Sequence, residues 1–197
     1  MFIHPNIKSS YALNFIGESI YQVIYALKPN KVIEFGVLHG YSLICIAQAL
    51  RDIGKGYVIG YDLWDDYPFK HGDIKKVYKL LKKENLDKFV ILKKKCLFDW
   101  LKNPENFDIL HIDVSNDGLI IKEVVKKLET KLLNGAILIF EGGIYSRDKV
   151  EWMQKFNKCP ILPLKKKIGY KIINHKFPGL SIIDRRNKLQ FSTDNLD

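Results

Sequence analysis

Arginine is scarce in this sequence. Only Arg51, Arg147, Arg185 and Arg186 occur, against 28 lysines, in a chain of 197 residues with a net charge of +10. Bidentate recognition of phosphates and base edges favours the planar guanidinium over the ammonium. A lysine-only excess scattered over helix faces therefore reads as a solvated basic surface, and a nucleic-acid partner is not expected. Cysteine is scarce too. Cys45, Cys96 and Cys159 are odd in number and far apart, which excludes a disulfide framework and a cysteine-rich zinc site and fits a reducing, cytoplasmic setting. No apolar run approaches the roughly 20 residues that span a bilayer, so no membrane is expected. The first residues, MFIHPNIKSSYALNF, lack a basic start followed by an apolar core, and no signal peptide is expected.

Two glycine patterns are also missing. No G-x-G-x-x-G is present, and no glycine loop ends in Lys followed by Ser or Thr. The first absence argues against a dinucleotide and a nicotinamide dehydrogenase, the second against a nucleoside triphosphate.

What is present is alternation. Apolar residues make up 47% of the chain, enough for a globular core in one domain over 1–197. Residues 1–30 read as an N-terminal helical segment, with Leu13, Ile16, Ile20, Val23, Ile24 and Leu27 at three-to-four spacing and a stop at Pro29. Residues 31–186 read as strands at 31–36, 57–63, 89–94, 107–114 and 136–141, separated by helical segments that include 118–132 and 147–156. Two apolar runs about His175 to Gly179 read as an antiparallel pair. The polar tail 187–197 is expected to fray. This order predicts an α/β, Rossmann-like, doubly wound and mostly parallel sheet, with an antiparallel C-terminal strand shielding its edge.

The organising stretch is KVIEFGVLHGYS, Lys31 to Ser42: a strand with Glu34 near its end, a loop with Gly36 and Gly40, then a helix. A loop of this kind suits a ligand without phosphates and with a charged amino-acid end, such as S-adenosylmethionine. Glu34 is expected to orient the ammonium side and the two glycines to admit the ligand to the backbone. Asp62 closes the second strand and is expected to take the ribose hydroxyls.

With those residues in place, four segments resemble a known family: VIEFGVLHGYS, GYDLWDD, FDILHIDVSND and LLNGAILIFEGG. Together they resemble class I S-adenosylmethionine-dependent methyltransferases, and more narrowly the group of macrocin-type and catechol-type O-methyltransferases and cephalosporin hydroxylase-like proteins. The resemblance covers about residues 31–183. It implies a seven-stranded sheet, with Gly36, Gly40 and Ser42 at the cofactor. It also puts Leu63 and Trp64 on the ribose–adenine side, Cys96, Leu97 and Phe98 near the adenine, and Asp113 on the floor of the cleft.

His111 and Asp113 alternate onto one side of the fourth strand. Methyl transfer to a hydroxyl needs alignment and help with a proton, so His111, Asp113 and Glu141 are the catalytic candidates. Asp113 and Glu141 are also the candidate ligands of a Mg²⁺ ion. The family's second histidine or lysine near the fourth strand is replaced by Asn116, and its asparagine after the fifth strand by Gly142. Asp117 reads as a helix cap. Tyr11, Tyr41, Tyr67 and Phe69 are candidates for a lid or acceptor pocket, and His39 for a cofactor or acceptor contact. The expected function is O-methylation of a small-molecule or sugar-like metabolite, and a homo-oligomer is compatible with it. The departures at Asn116 and Gly142 keep a cofactor-binding protein without catalysis as the alternative, and the charge alone keeps an RNA methyltransferase.

Overall fold

The structure is a computed structural model, and it describes residues 1–67 and 71–186. Phe69 and the polar tail lie outside those residues. Helix α1 (Ile16–Leu27) leads into β1 (Lys31–Phe35), α2 (Tyr41–Ile53), β2 (Tyr57–Asp62), α3 (Ile74–Lys83) and β3 (Val90–Lys94). Then follow α4 (Leu97–Trp100), β4 (Ile109–Ile112), α5 (Gly118–Lys127), α6 (Glu129–Leu133) and β5 (Ile137–Glu141). The short helices α7 (Tyr145–Asp148), α8 (Glu151–Lys155) and α9 (Lys165–Ile168) precede the hairpin β6 (Lys171–Asn174) and β7 (Leu180–Ile183).

The seven strands form one sheet in the order β3-β2-β1-β4-β5-β7-β6. The pairs β1–β2, β2–β3, β1–β4 and β4–β5 are parallel, while β7 runs antiparallel to both β5 and β6. The expected antiparallel pair is the hairpin β6–β7, which closes the sheet beyond β5: β7 lies beside β5, and β6 forms the edge.

Parallel strands covered on both faces read as continuous apolar runs, and these do. Val32, Val58, Ile109 and Ile137 pack with α1, α2 and α3 on one face, while Ile33, Phe35, Ile59, Leu110 and Leu138 pack with α4, α5 and α6 on the other. Side chains alternate along a strand. Glu34, His111 and Glu141 therefore lie on the α1–α2 face, the face of Val32, Ile109 and Ile137. The register confirms the alignment, with Glu34 opposite His111 and His111 opposite Ile139.

Three helical segments differ from the periodicity reading. The first begins as a 3-10 turn at Ala12–Asn14, and Phe15 breaks it in the left-handed region (φ 57°) before α1 starts. Leu13 consequently points outward, 85% exposed, off the predicted apolar face. The segment 118–132 is split at Leu128 into α5 and α6, and 147–156 into α7 and α8. Continuous helix was predicted because these breaks contain neither glycine nor proline.

Candidate functional site

Strand order reverses between β1 and β4, and in open α/β sheets ligands bind outside the carboxyl ends of the strands at such a point. The loop 36–40 stands there. Gly36 has φ +92°, and a Cβ on it would lie 1.9 Å from the Asp113 carbonyl oxygen. The glycine is therefore required by the crossing of two loops, apart from any ligand. Gly72 has the same reason, since a Cβ there would meet the Leu38 carbonyl oxygen at 1.6 Å. Asp62 braces the loop from the next strand. Its Oδ2 accepts from the N–H groups of Val37 and Leu38, both at 2.8 Å, and its Oδ1 accepts from the Trp64 N–H at 2.9 Å. A carboxylate has about four lone-pair sites, so little is left for ribose hydroxyls unless the loop gives way.

The second half of the site is an acid cluster on the α1–α2 face. Glu34 and His111 are 0% and 1% exposed, and His111 Nδ1 lies 2.9 Å from Glu34 Oε1. In the tautomer whose Nδ1–H donates to Glu34, the lone pair is on Nε2. Asp113 follows two residues on. Burial, then the charge of Glu141, push the Asp113 carboxyl well above the usual range, and the neighbouring Tyr11 hydroxyl opposes this. Tyr11 comes from the segment before α1, packs edge-on against Tyr41 with ring centroids 6.4 Å apart, and is buried. Its hydroxyl is likewise pushed up, first by burial and then by the charges of Asp113 and Glu141. At the end of β5, Glu141 Oε1 accepts from the Nε of Arg147, whose side chain is 5% exposed. Asn116 donates its amide to the carbonyls of Ile112 (2.9 Å) and Glu141 (3.0 Å), tying β4 to β5.

Among the described residues, six buried side-chain polar atoms have no hydrogen-bond partner: Tyr11 Oη, Glu34 Oε2, Tyr41 Oη, His111 Nε2, Asn116 Oδ1 and Arg147 Nη1. Tyr11 and Tyr41 pack together, Asn116 and Arg147 meet at Glu141, and Glu34 and His111 form a pair of their own on the same sheet face. Buried polar groups are otherwise paired, so their concentration near the switch point makes it the candidate site for a polar ligand.

The sequence profile of the methyltransferase domain family matches residues 33–141, from β1 through β5. The chain belongs to this methyltransferase domain family. Solved structures agree on the fold. The O-methyltransferase TomG of Streptomyces achromogenes, solved with SAM, is 15% identical with a TM-score of 0.61, over 90% of this chain and 81% of that one. The SAH-bound Podospora anserina methyltransferase PaMTH1 is 17% identical with a TM-score of 0.63, over 90% and 79%. The Bacillus cereus O-methyltransferase, in complex with SAH, is 14% identical with a TM-score of 0.58, over 92% and 84%. Comparison with curated protein sequences finds no match.

The remaining expected residues of this methyltransferase are dispersed around the cluster. Ser42 is buried at the start of α2, and His39 is exposed in the loop. Leu63 is half-buried, whereas Trp64 is 3% exposed and donates its indole N–H to the Lys93 carbonyl at 3.3 Å. Leu97 packs in the core with Trp100 and Tyr61, and Cys96 is half-buried. Phe98, 48% exposed, lines an open groove of about 560 Å³ together with Leu119, Lys122 and Lys158. Tyr67 reaches across from the loop after β2, its hydroxyl 3.2 Å from Ser115 Oγ after β4. Asp117 caps α5 as its sequence position suggests, accepting from the N–H groups of Leu119 and Ile120 at 2.9 Å.

The expected Mg²⁺ site does not fit. Glu141 already carries a cationic partner, Arg147, and the Asp113 carboxyl is held toward its protonated form. Among the described residues no group of three or more His, Cys, Asp or Glu could hold a metal ion. Arg147 is the residue that the sequence reading missed. Its signal was present: a guanidinium six residues beyond the strand-end acid, in a chain with four arginines against 28 lysines.

Proposed function

We propose that this methyltransferase binds S-adenosylmethionine at the β1–β4 switch point and methylates a hydroxyl of a small-molecule acceptor. The observation that supports this most is the set of unpartnered buried polar atoms at the carboxyl ends of β1, β4 and β5. When bound, the cofactor would supply an electrophilic methyl group on a sulfonium, which needs only an aligned nucleophile. Glu34 Oε2 and the Tyr41 hydroxyl suit an ammonium group. Gly36, Gly40, Ser42, Asp62, Leu63, Trp64, Leu97 and Phe98 remain the candidate wall of the cofactor site. Asp62 would have to exchange loop N–H groups for ribose hydroxyls as the loop adjusts.

His111 is the proposed general base. Its Nε2 has no partner, and Glu34 at Nδ1 fixes the tautomer and would stabilise the imidazolium once the hydroxyl proton arrives. Asp113, its carboxyl pushed up by burial and by the charge of Glu141, is suited to donate a hydrogen bond within the site, and Glu141 to hold Arg147. The acceptor side would be framed by Tyr11 and the segment after β5.

No helix among the described residues is long and apolar enough to cross a membrane, and all three cysteines are unpaired. The unpaired cysteines support the proposal that the protein works in the reducing cytoplasm.

Calorimetry with S-adenosylhomocysteine tests the cofactor half. Wild type should bind it, and Glu34→Gln and Asp62→Ala should each weaken binding by roughly tenfold or more. No binding at about 1 mM would overturn the proposal. The occupied carboxylate of Asp62 favours a second reading, binding without transfer. Binding that never yields a methylated product from a metabolite extract, with His111→Ala indistinguishable from wild type, would select it.

A further inference from the structure

We infer that Arg147 anchors an oxyanion of the acceptor, so that the substrate is a hydroxylated carboxylate or phosphate and not a neutral alcohol. This rests on the methyltransferase reading above and names the substrate class of that same site.

Arg147 is held on two sides. Its Nε donates to Glu141 Oε1, and its guanidinium carbon lies 4.8 Å above the Trp152 ring. These contacts fix the plane of the fork, and the side chain is 5% exposed. Yet Nη1 is buried and has no partner. Glu141 occupies Nε, and among the described residues no carboxylate reaches Nη1. A buried donor of a cation left unpaired is costly. The rigid terminal edge of a guanidinium matches a carboxylate or a phosphate with two parallel hydrogen bonds.

The position agrees with the chemistry. Arg147 sits beyond the carboxyl end of β5, joined through Glu141 to Asn116 and β4. An anion seated there would stand at the end of β5, next in the sheet to the strand that carries His111. The chain's net charge of +10 raises the local concentration of such anions.

The test uses wild type loaded with S-adenosylhomocysteine and two matched probe pairs: 4-hydroxybenzoate against 4-hydroxybenzamide, and glycerol 3-phosphate against glycerol. Binding is read by calorimetry or by ligand-observed NMR. At least one anion should bind at least roughly tenfold more tightly than its neutral partner, and which pair responds separates carboxylate from phosphate. Arg147→Met should abolish that preference, Arg147→Lys should keep part of it, and both should still bind S-adenosylhomocysteine within about threefold of wild type. If Arg147→Met leaves Glu141 too exposed to misfolding, the double variant Arg147→Met/Glu141→Gln removes both charges and must show the same loss of preference. Equal binding of anion and neutral partner, no anion binding at about 10 mM, or a preference that survives in Arg147→Met would overturn the inference. A wild type that does not bind S-adenosylhomocysteine at all would remove the methyltransferase reading, and the inference with it.

Discussion

Replacing His111 by alanine should expose how the buried pair is balanced. Glu34 is 0% exposed, and its Oε1 lies 2.9 Å from His111 Nδ1 while its Oε2 has no partner. In His111→Ala the carboxylate stays buried with neither oxygen paired. Breaking a buried pair from one side costs about 3–5 kcal/mol. For a chain of 197 residues that corresponds to a fall in Tm of roughly 6–20 °C. Glu34→Gln keeps an acceptor oxygen against the ring and should cost about 1–2 kcal/mol. The double variant Glu34→Ala/His111→Ala leaves no orphaned charge, so it should cost less than the sum of its singles by about 2–3 kcal/mol. Urea unfolding at constant m-value measures all of these. Singles that cost under about 1 kcal/mol, or a double variant additive to within about 0.5 kcal/mol, would refute the pairing as the main feature of this site.

Four further outcomes are expected. Gly36→Ala combines a φ of +92° with a Cβ 1.9 Å from a carbonyl oxygen and should lose at least about 2 kcal/mol by thermal unfolding; an unchanged Tm would show that the crossing of the two loops is loose. Asp113 has a raised folded pKa from burial and from Glu141, so its stabilising proton is present at low pH and lost as pH rises through that value. Asp113→Asn should therefore be more stable than wild type near about pH 8, with the difference shrinking toward about pH 4, as thermal melts across that range would reveal. At Asp52, burial alone would raise the carboxyl, but hydrogen bonds from Arg51, the chain's amino terminus and Tyr21 win and bring it from 3.8 to about 2. Its contribution is complete above 3.8 and disappears as pH falls through about 2, so the acid melting curve of Asp52→Asn should converge with wild type there. Finally, EDTA should leave product formation within about twofold of the untreated rate, because Arg147 rather than a metal ion faces Glu141; a loss of tenfold or more, restored by Mg²⁺, would contradict this.

The alternation of strand and helix, the parallel run of five strands and the glycine at 36 were readable from the chain because each depends on local periodicity or on one backbone position. The acid at Glu34 was readable too, since it interrupts an apolar strand. Its partner was not. Glu34 and His111 are 77 residues apart and meet only through strand register. The placement of Leu13 failed for a related reason: Phe15 breaks the helix where neither proline nor glycine announces it. Asp62 was recognised as a strand-end acid, but its three backbone donors depend on how two loops cross.

The sequence by itself determined the doubly wound sheet and the loop at its switch point, because hydrophobic periods of two and 3.6 residues and a required left-handed glycine are local constraints. Only the tertiary structure decided what the acids do. It brought Tyr11 onto Asp113, turned Asp62 inward to brace its own loop, and set Arg147 against Glu141 in the place considered for a metal. Each of these is a pairing of charges or donors across separate elements, and burial, which no residue carries alone, gives those pairings their strength.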